Sequence, residues 1–121
     1  MALARDLMHV FTGSQATALG GSLKSGISAA GTAITDATDL TASKNVVSTA
    51  TEGQGVQLTS MNAGESQVVF NATGVSIKVY PSASTVAINQ LAVGVGATLG
   101  PYTTCEFHQV SSTQVLGVLS A

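Results

Sequence analysis

The stretch VSIKVYP, at residues 75–81, decides the fold class. In an extended chain Val75, Ile77 and Val79 point to one side. Ser76, Lys78 and Tyr80 point to the opposite side. Pro81 follows directly, and a proline cannot donate to a sheet ladder. The pattern therefore predicts a strand with one buried face that ends at Tyr80.

The same alternation recurs over most of the chain. Residues 102–109 predict a second strand in which Cys105 and Phe107 belong to the core. Further short β-branched segments predict strands at residues 32–37, 45–50, 55–58, 66–71, 85–89, 97–99 and 114–119. Strands this short and numerous, separated by Gly, Asn, Pro and Ser, are typical of antiparallel all-β proteins. We therefore expect an antiparallel β-sandwich or jelly-roll-like domain of about eight strands.

The amino-terminal residues have a different composition. Leu3, Leu7, Val10 and Phe11 share one face of a short amphipathic helix, which would be marginal alone in water and would need a surface to dock on. From residue 12 to residue 32 the chain is rich in Gly, Ser, Ala and Thr, a composition that predicts a flexible spacer. The sequence thus predicts an arm at residues 1–30, whose four apolar residues bind a partner, and a β-sandwich domain at residues 31–121.

Low charge excludes several functions. Lys, Arg, Asp and Glu make up only 8% of the 121 residues, against roughly 25% in an ordinary soluble protein. The four basic residues lie far apart, so no cationic patch could hold DNA or RNA. The longest weakly polar stretch, residues 91–99, is well short of the ~20 residues that span a bilayer. We therefore expect neither a nucleic acid nor a membrane as partner.

The sequence shows no arrangement typical of an enzyme. Cys105 and His108 are three residues apart, which on a strand sends their side chains to opposite faces. Asp36 and Asp39 supply too few oxygens for a calcium site, which uses six to eight, and are expected to be solvated turn residues. No nucleotide-binding or zinc-binding spacing occurs. We therefore predict a protein without catalytic residues, cofactor or metal.

Several segments resemble a known class of proteins. The segments on which the resemblance rests are AGTA at residues 30–33, NVVSTA at 45–50, GVQL at 55–58, VFN at 69–71, KVYP at 78–81 and VSSTQ at 110–114. Through them, residues 29–121 resemble the small β-rich virion proteins of tailed bacteriophages, in particular capsid decoration (cement) proteins and head-fibre modules. These stretches are framework residues, and none is a catalytic signature.

The resemblance implies a function as well as a fold. It implies a homotrimeric, jelly-roll-like knob that is made in the host bacterial cytoplasm and sits on the outer capsid surface of the virion, bound to the major capsid protein. The arm would grip either the capsid or the other subunits of the trimer. The alternative is a receptor- or carbohydrate-binding module of a phage head or tail fibre, in which exposed Tyr80 and Tyr102 would contact a sugar. The low aromatic content, 4%, disfavours that alternative because binding hot spots are rich in aromatic rings.

Overall fold

The computed structural model describes residues 22–119, which form strands and turns and no helix. The prediction of an all-β protein is therefore confirmed for this part of the chain. The predicted helix, with its partner-binding residues Leu3, Leu7, Val10 and Phe11, lies outside the described residues. In chain order the strands are β1 Leu23–Ser28, β2 Thr38–Asp39, β3 Lys44–Thr49, β4 Gly55–Gln57, β5 Ser66–Asn71, β6 Ile77–Tyr80, β7 Ala87–Ile88, β8 Ala97–Leu99, β9 Thr104–Ser111 and β10 Gln114–Leu119.

The strands form two sheets between which the chain alternates. One sheet has the order β1-β3-β5-β9-β10-β7, and the other has the order β2-β4-β6-β8. From β1 to β6 each strand is followed by a strand of the other sheet, so that strands two apart in sequence are paired in parallel. Val47 on β3 lies opposite Asn71 on β5, and Val56 on β4 lies opposite Val79 on β6. The arrangement is β-solenoid-like.

The expected antiparallel sandwich or jelly roll is therefore wrong for the first six strands. Antiparallel neighbours can be joined by a tight turn, whereas parallel neighbours need a long crossover connection. Here the crossover from one strand to its parallel neighbour is a strand of the opposite sheet. Antiparallel pairing occurs where the chain reverses, between β9 and its neighbours β5 and β10 and between β6 and β8.

The core lies between the two sheets and consists mainly of β-branched side chains. Val47, Val69 and Ile77 are fully buried there, and Cys105 and Phe107 of β9 are almost so. The alternating burial along β9 confirms the two core residues predicted from its sequence. The predicted alternation in β6 is confirmed for Ile77 and Val79.

Strand β1 corrects the later part of the flexible spacer predicted at residues 12–32, whose first part, residues 12–21, lies outside the described residues. Leu23–Ser28 pairs with β3, and Ile27 lies opposite Val47 in the core with 5% exposure. The sequence pattern missed this strand because Ile27 is its only buried side chain and because Gly26, at φ 71°, interrupts the extended backbone. Residues from 23 onward are thus part of the β-structure.

The predicted strand at residues 32–37 is a turn. Gly31 has φ 68°, and a side chain at that position would collide with the backbone of Asp36. The Asp36 carboxylate accepts a hydrogen bond from the Ala33 N–H at 3.2 Å, which stabilises the turn. The strand of this region is the short Thr38–Asp39, and Thr38 is anchored by its hydroxyl, which donates to the Ser28 carbonyl at 2.6 Å.

Candidate interaction surface

The six-stranded sheet turns several large apolar side chains away from the core, on a face that also carries Lys44 of β3 and Glu106 of β9. The strands β3, β5, β9 and β10 each place large apolar side chains on it, although only one face of a strand is needed for the core. We call this surface the outer face and define it by its apolar members, which are Val46, Val68, Phe70, Val110, Leu116 and Val118. Consecutive apolar residues in one strand, as in Val68-Val69-Phe70, are the sequence signal for it, because alternation sends them to both faces.

A close contact between Glu106 and His108 divides the outer face. Glu106 lies between Val68 and Val118 in the strand register, and His108 lies beside Leu116. The Nε2 atom of His108 is 2.8 Å from Oε1 of Glu106, and both side chains are well exposed. Because both side chains are exposed, their contact contributes little to the stability of the fold. It does place two polar side chains in the middle of the outer face.

An open groove lies at the β1 end of the same surface. Its volume is 460 Å³, and Leu23, Val46, Phe70 and Tyr102 supply most of its walls, with Asn71, Ala72, Thr103 and Thr104 completing them. Tyr102 is 76% exposed and has φ 56°, while its N–H donates to the Thr73 carbonyl at 3.2 Å. The turn thus holds an aromatic ring in solvent at the rim of the groove.

Tyr80, predicted to be exposed, is buried on the opposite sheet. Its ring lies across Gly55 and Gly96, where a Cβ atom would come within 2.5 Å and 2.8 Å of ring carbons. The Tyr80 hydroxyl donates to the Thr32 carbonyl at 2.9 Å. Tyr80 points away from the core, as the alternation along its strand predicts. Its ring is nevertheless covered, because glycines on the neighbouring chain segments leave room for it to lie flat against them. Tyr80 therefore cannot serve as a sugar-stacking platform.

The residues considered for chemistry lie apart. Cys105 is inside the core and His108 is on the outer face, as their spacing on a strand predicts. Asp36 is engaged in its turn, and within residues 22–119 no three His, Cys, Asp or Glu side chains are grouped in a way that could hold a metal ion. No helix within these residues is long and apolar enough to cross a membrane.

Asn71-Ala72-Thr73 matches a glycosylation sequon, but its asparagine is structural. Asn71 is 1% exposed, and its Nδ2 donates to three carbonyl oxygens, those of Val75, Leu99 and Gly100, at 2.8 to 3.1 Å. The nitrogen that a glycan would modify is therefore fully engaged. The segment forms the connection that leaves β5.

The thiol of Cys105 is protected by the fold. It is 5% exposed and lies beneath Gly117, at which a Cβ atom would be 3.0 Å from the sulfur. Burial raises the pKa of Cys105 from 9.0 to about 11, while a backbone hydrogen bond from Val118 opposes the rise and the charge of Glu106 adds to it. At pH 8 the native thiolate population is therefore about 100-fold below that of an unperturbed cysteine.

The raised pKa predicts how stability responds to alkali. Below pH 9 the thiol is neutral in both states, whereas between pH 9 and about 11 only the unfolded chain ionises, which favours unfolding. The stability advantage of the wild type over Cys105→Ala should therefore shrink across this interval. Urea titrations of both proteins at several pH values measure it, and an advantage that stays constant from pH 8 to pH 11 would contradict the prediction. Thiol labelling at pH 8 should likewise be slow until denaturant is added.

No protein-family model, no curated protein and no solved structure matches this chain. The resemblance to phage virion proteins therefore rests on the sequence segments quoted above. The outer face and its groove are the features of the described residues that a functional assignment can use.

Proposed function

We propose that this protein is a non-enzymatic virion structural protein, a capsid decoration (cement) protein that binds the outer surface of a phage head and stabilises contacts between major capsid proteins. The observation that carries the proposal is the outer face. Val110 on β9 and Leu116 and Val118 on β10 are 48%, 47% and 60% exposed on neighbouring strands of one sheet. Large apolar side chains grouped on the surface of a folded protein are typical of sites that bind other proteins.

The character of the surface suits a protein partner. Sheet strands hold the side chains in fixed positions, so binding orders few additional groups. The chain as a whole carries only 8% charged residues, and on the outer face Glu106 and His108 lie between apolar members. Charged residues are depleted at the centres of protein interfaces, so the apolar members on either side of this pair are the parts that suit a protein partner. The proposed partners are the major capsid protein and, in a homotrimer, other copies of this chain. On this proposal the protein is made in the host bacterial cytoplasm and ends on the outer capsid surface.

The alternative function is a receptor- or carbohydrate-binding module of a phage fibre. Of the two tyrosines considered for it, Tyr80 is covered, and only Tyr102 presents its ring to solvent. A ring at the rim of a groove is a feature that sugar-binding sites also use. A glycan array probed with wild type and Tyr102→Ala tests this alternative, which requires a glycan signal that the variant loses.

A pair of valine substitutions tests the proposed surface. Val118 on the outer face and Val93 in a loop are similarly exposed, at 60% and 57%, so Val93→Ser is a matched control for Val118→Ser. We expect Val118→Ser to weaken retention on heads assembled without this protein by about tenfold, since a central contact contributes about 1.4 kcal/mol or more. Val93→Ser should bind like the wild type.

Light scattering on the same variants separates capsid binding from self-association. If Val118→Ser dissociates into monomers while the wild type is a trimer, the outer face joins copies of this chain rather than the capsid. If both valine variants bind heads at full strength, the outer face is not the capsid-binding surface. Images of decorated particles would then show which surface is.

A further inference from the structure

The groove lies where the amino-terminal segment joins the β-structure. Leu23 is the first residue of β1 and also a wall of the groove. Residues 1–21 therefore precede a residue that is itself part of the groove. Ser22, the first described residue, directly precedes Leu23, so the preceding 21 residues are joined to the described chain beside an open apolar surface.

We propose that residues 1–21 of the same chain cover this groove, with the side chains of Leu3, Leu7, Val10 and Phe11 against it. These four residues share one face of an amphipathic pattern that needs an apolar surface. The groove supplies one, since Leu23, Val46 and Phe70 form its walls and none of its lining residues is charged.

Tethering favours the same chain over another copy. Ten residues, 12–21, separate the apolar pattern from Ser22, and ten extended residues reach about 33 Å, enough to return the pattern to the groove. A short tether gives an effective concentration of about the millimolar range. A second copy at micromolar concentration competes poorly with that.

The open edge of β1 is a poorer binding site for this segment than the groove. The β1 register is interrupted between Lys24 and Ile27, and Gly26 has φ 71° within the interruption. An irregular edge strand that carries a lysine resists the addition of another strand. Side-chain burial in the groove, rather than backbone pairing at the edge, is therefore the interaction we infer. On this proposal the amino-terminal segment covers Val46 and Phe70 at one end of the outer face, and Val110, Leu116 and Val118 at the other end remain for a partner.

Cross-linking in the full chain tests whether residues 1–21 lie over the groove. In a Cys105→Ala background, cysteines at Ala4 and at Ala72, a lining residue of the groove, are joined with a short bismaleimide. The control pair carries the second cysteine at Thr85, an exposed residue near β7. Ala72 directly follows β5 and Thr85 lies next to β7, three strands further along the sheet, which at about 4.8 Å per strand separates the two positions by roughly 14 Å across the sheet. We expect several-fold more cross-linked monomer from the Ala72 pair than from the Thr85 pair.

A groove variant completes the test. Phe70→Ser, added to the Ala72 pair, should lower the cross-linking yield while circular dichroism still shows a folded β-protein, because Phe70 lies outside the core. Equal yields from the Ala72 and Thr85 pairs would overturn the proposal. So would cross-links that join different chains and rise with protein concentration, or a yield that Phe70→Ser leaves unchanged.

Discussion

Asn71→Ala is expected to lower the free energy of unfolding by about 3 kcal/mol or more. The substitution removes the amide donor from the carbonyls of Val75, Leu99 and Gly100. Two of them, those of Val75 and Gly100, also have a threonine hydroxyl within hydrogen-bond distance. The substitution also removes the acceptor of Thr73, whose N–H and hydroxyl donate to Asn71 Oδ1 at 3.1 Å and 2.6 Å. Because Asn71 is buried, water cannot replace these bonds without opening the structure.

Urea unfolding followed by circular dichroism measures the effect. The matched control is Asn62→Ala, since Asn62 is exposed in a turn where its backbone N–H, and not its side chain, bonds to Glu65. The control should change stability by less than about 0.5 kcal/mol. A similar loss of stability from both variants would mean that Asn71 does not hold the segment after β5 to the end of β8.

Phe107→Ala is expected to destabilise the protein by about 3 to 5 kcal/mol, the range for removing a buried phenylalanine. Phe107 is 2% exposed and lies between Gln67 on β5 and Gly117 on β10 in the strand register. A Cβ atom at Gly117 would be 3.2 Å from the Phe107 ring, so the ring packs directly on that glycine. Its loss leaves a cavity that the β-branched neighbours cannot fill.

The neighbouring residue provides the control. Glu106 points to the outer face, so Glu106→Ala should cost no more than about 1 kcal/mol, the upper range for an exposed ion pair. Thermal unfolding of both variants distinguishes the two positions. If Glu106→Ala were as damaging as Phe107→Ala, the register of β9 would be displaced by one residue, since such a shift exchanges the two faces of a strand.

Local pattern was sufficient to predict several elements. The strands Ser66–Asn71, Ala97–Leu99 and Gln114–Leu119 have the predicted bounds, because each is a short run of strand-forming residues with turn-forming residues at its ends. The inward positions of Cys105 and Phe107 followed from alternation, which is a property of a single strand. The outer face was not predicted, although consecutive apolar residues such as Val68 and Val69 indicated it.

The sequence by itself determined that the chain carries little charge, that its described part, residues 22–119, is all-β, and which side chains of the regular strands point inward. Only the tertiary structure decided that β1 to β6 pair in parallel across two sheets, because alternation is the same in parallel and antiparallel strands and does not reveal the neighbour. Likewise, Tyr80 is buried by glycines at positions 55 and 96, distant in sequence from it and from each other. Strand order and the coverage of outward side chains depend on contacts between distant residues, and those contacts exist only once the chain has folded.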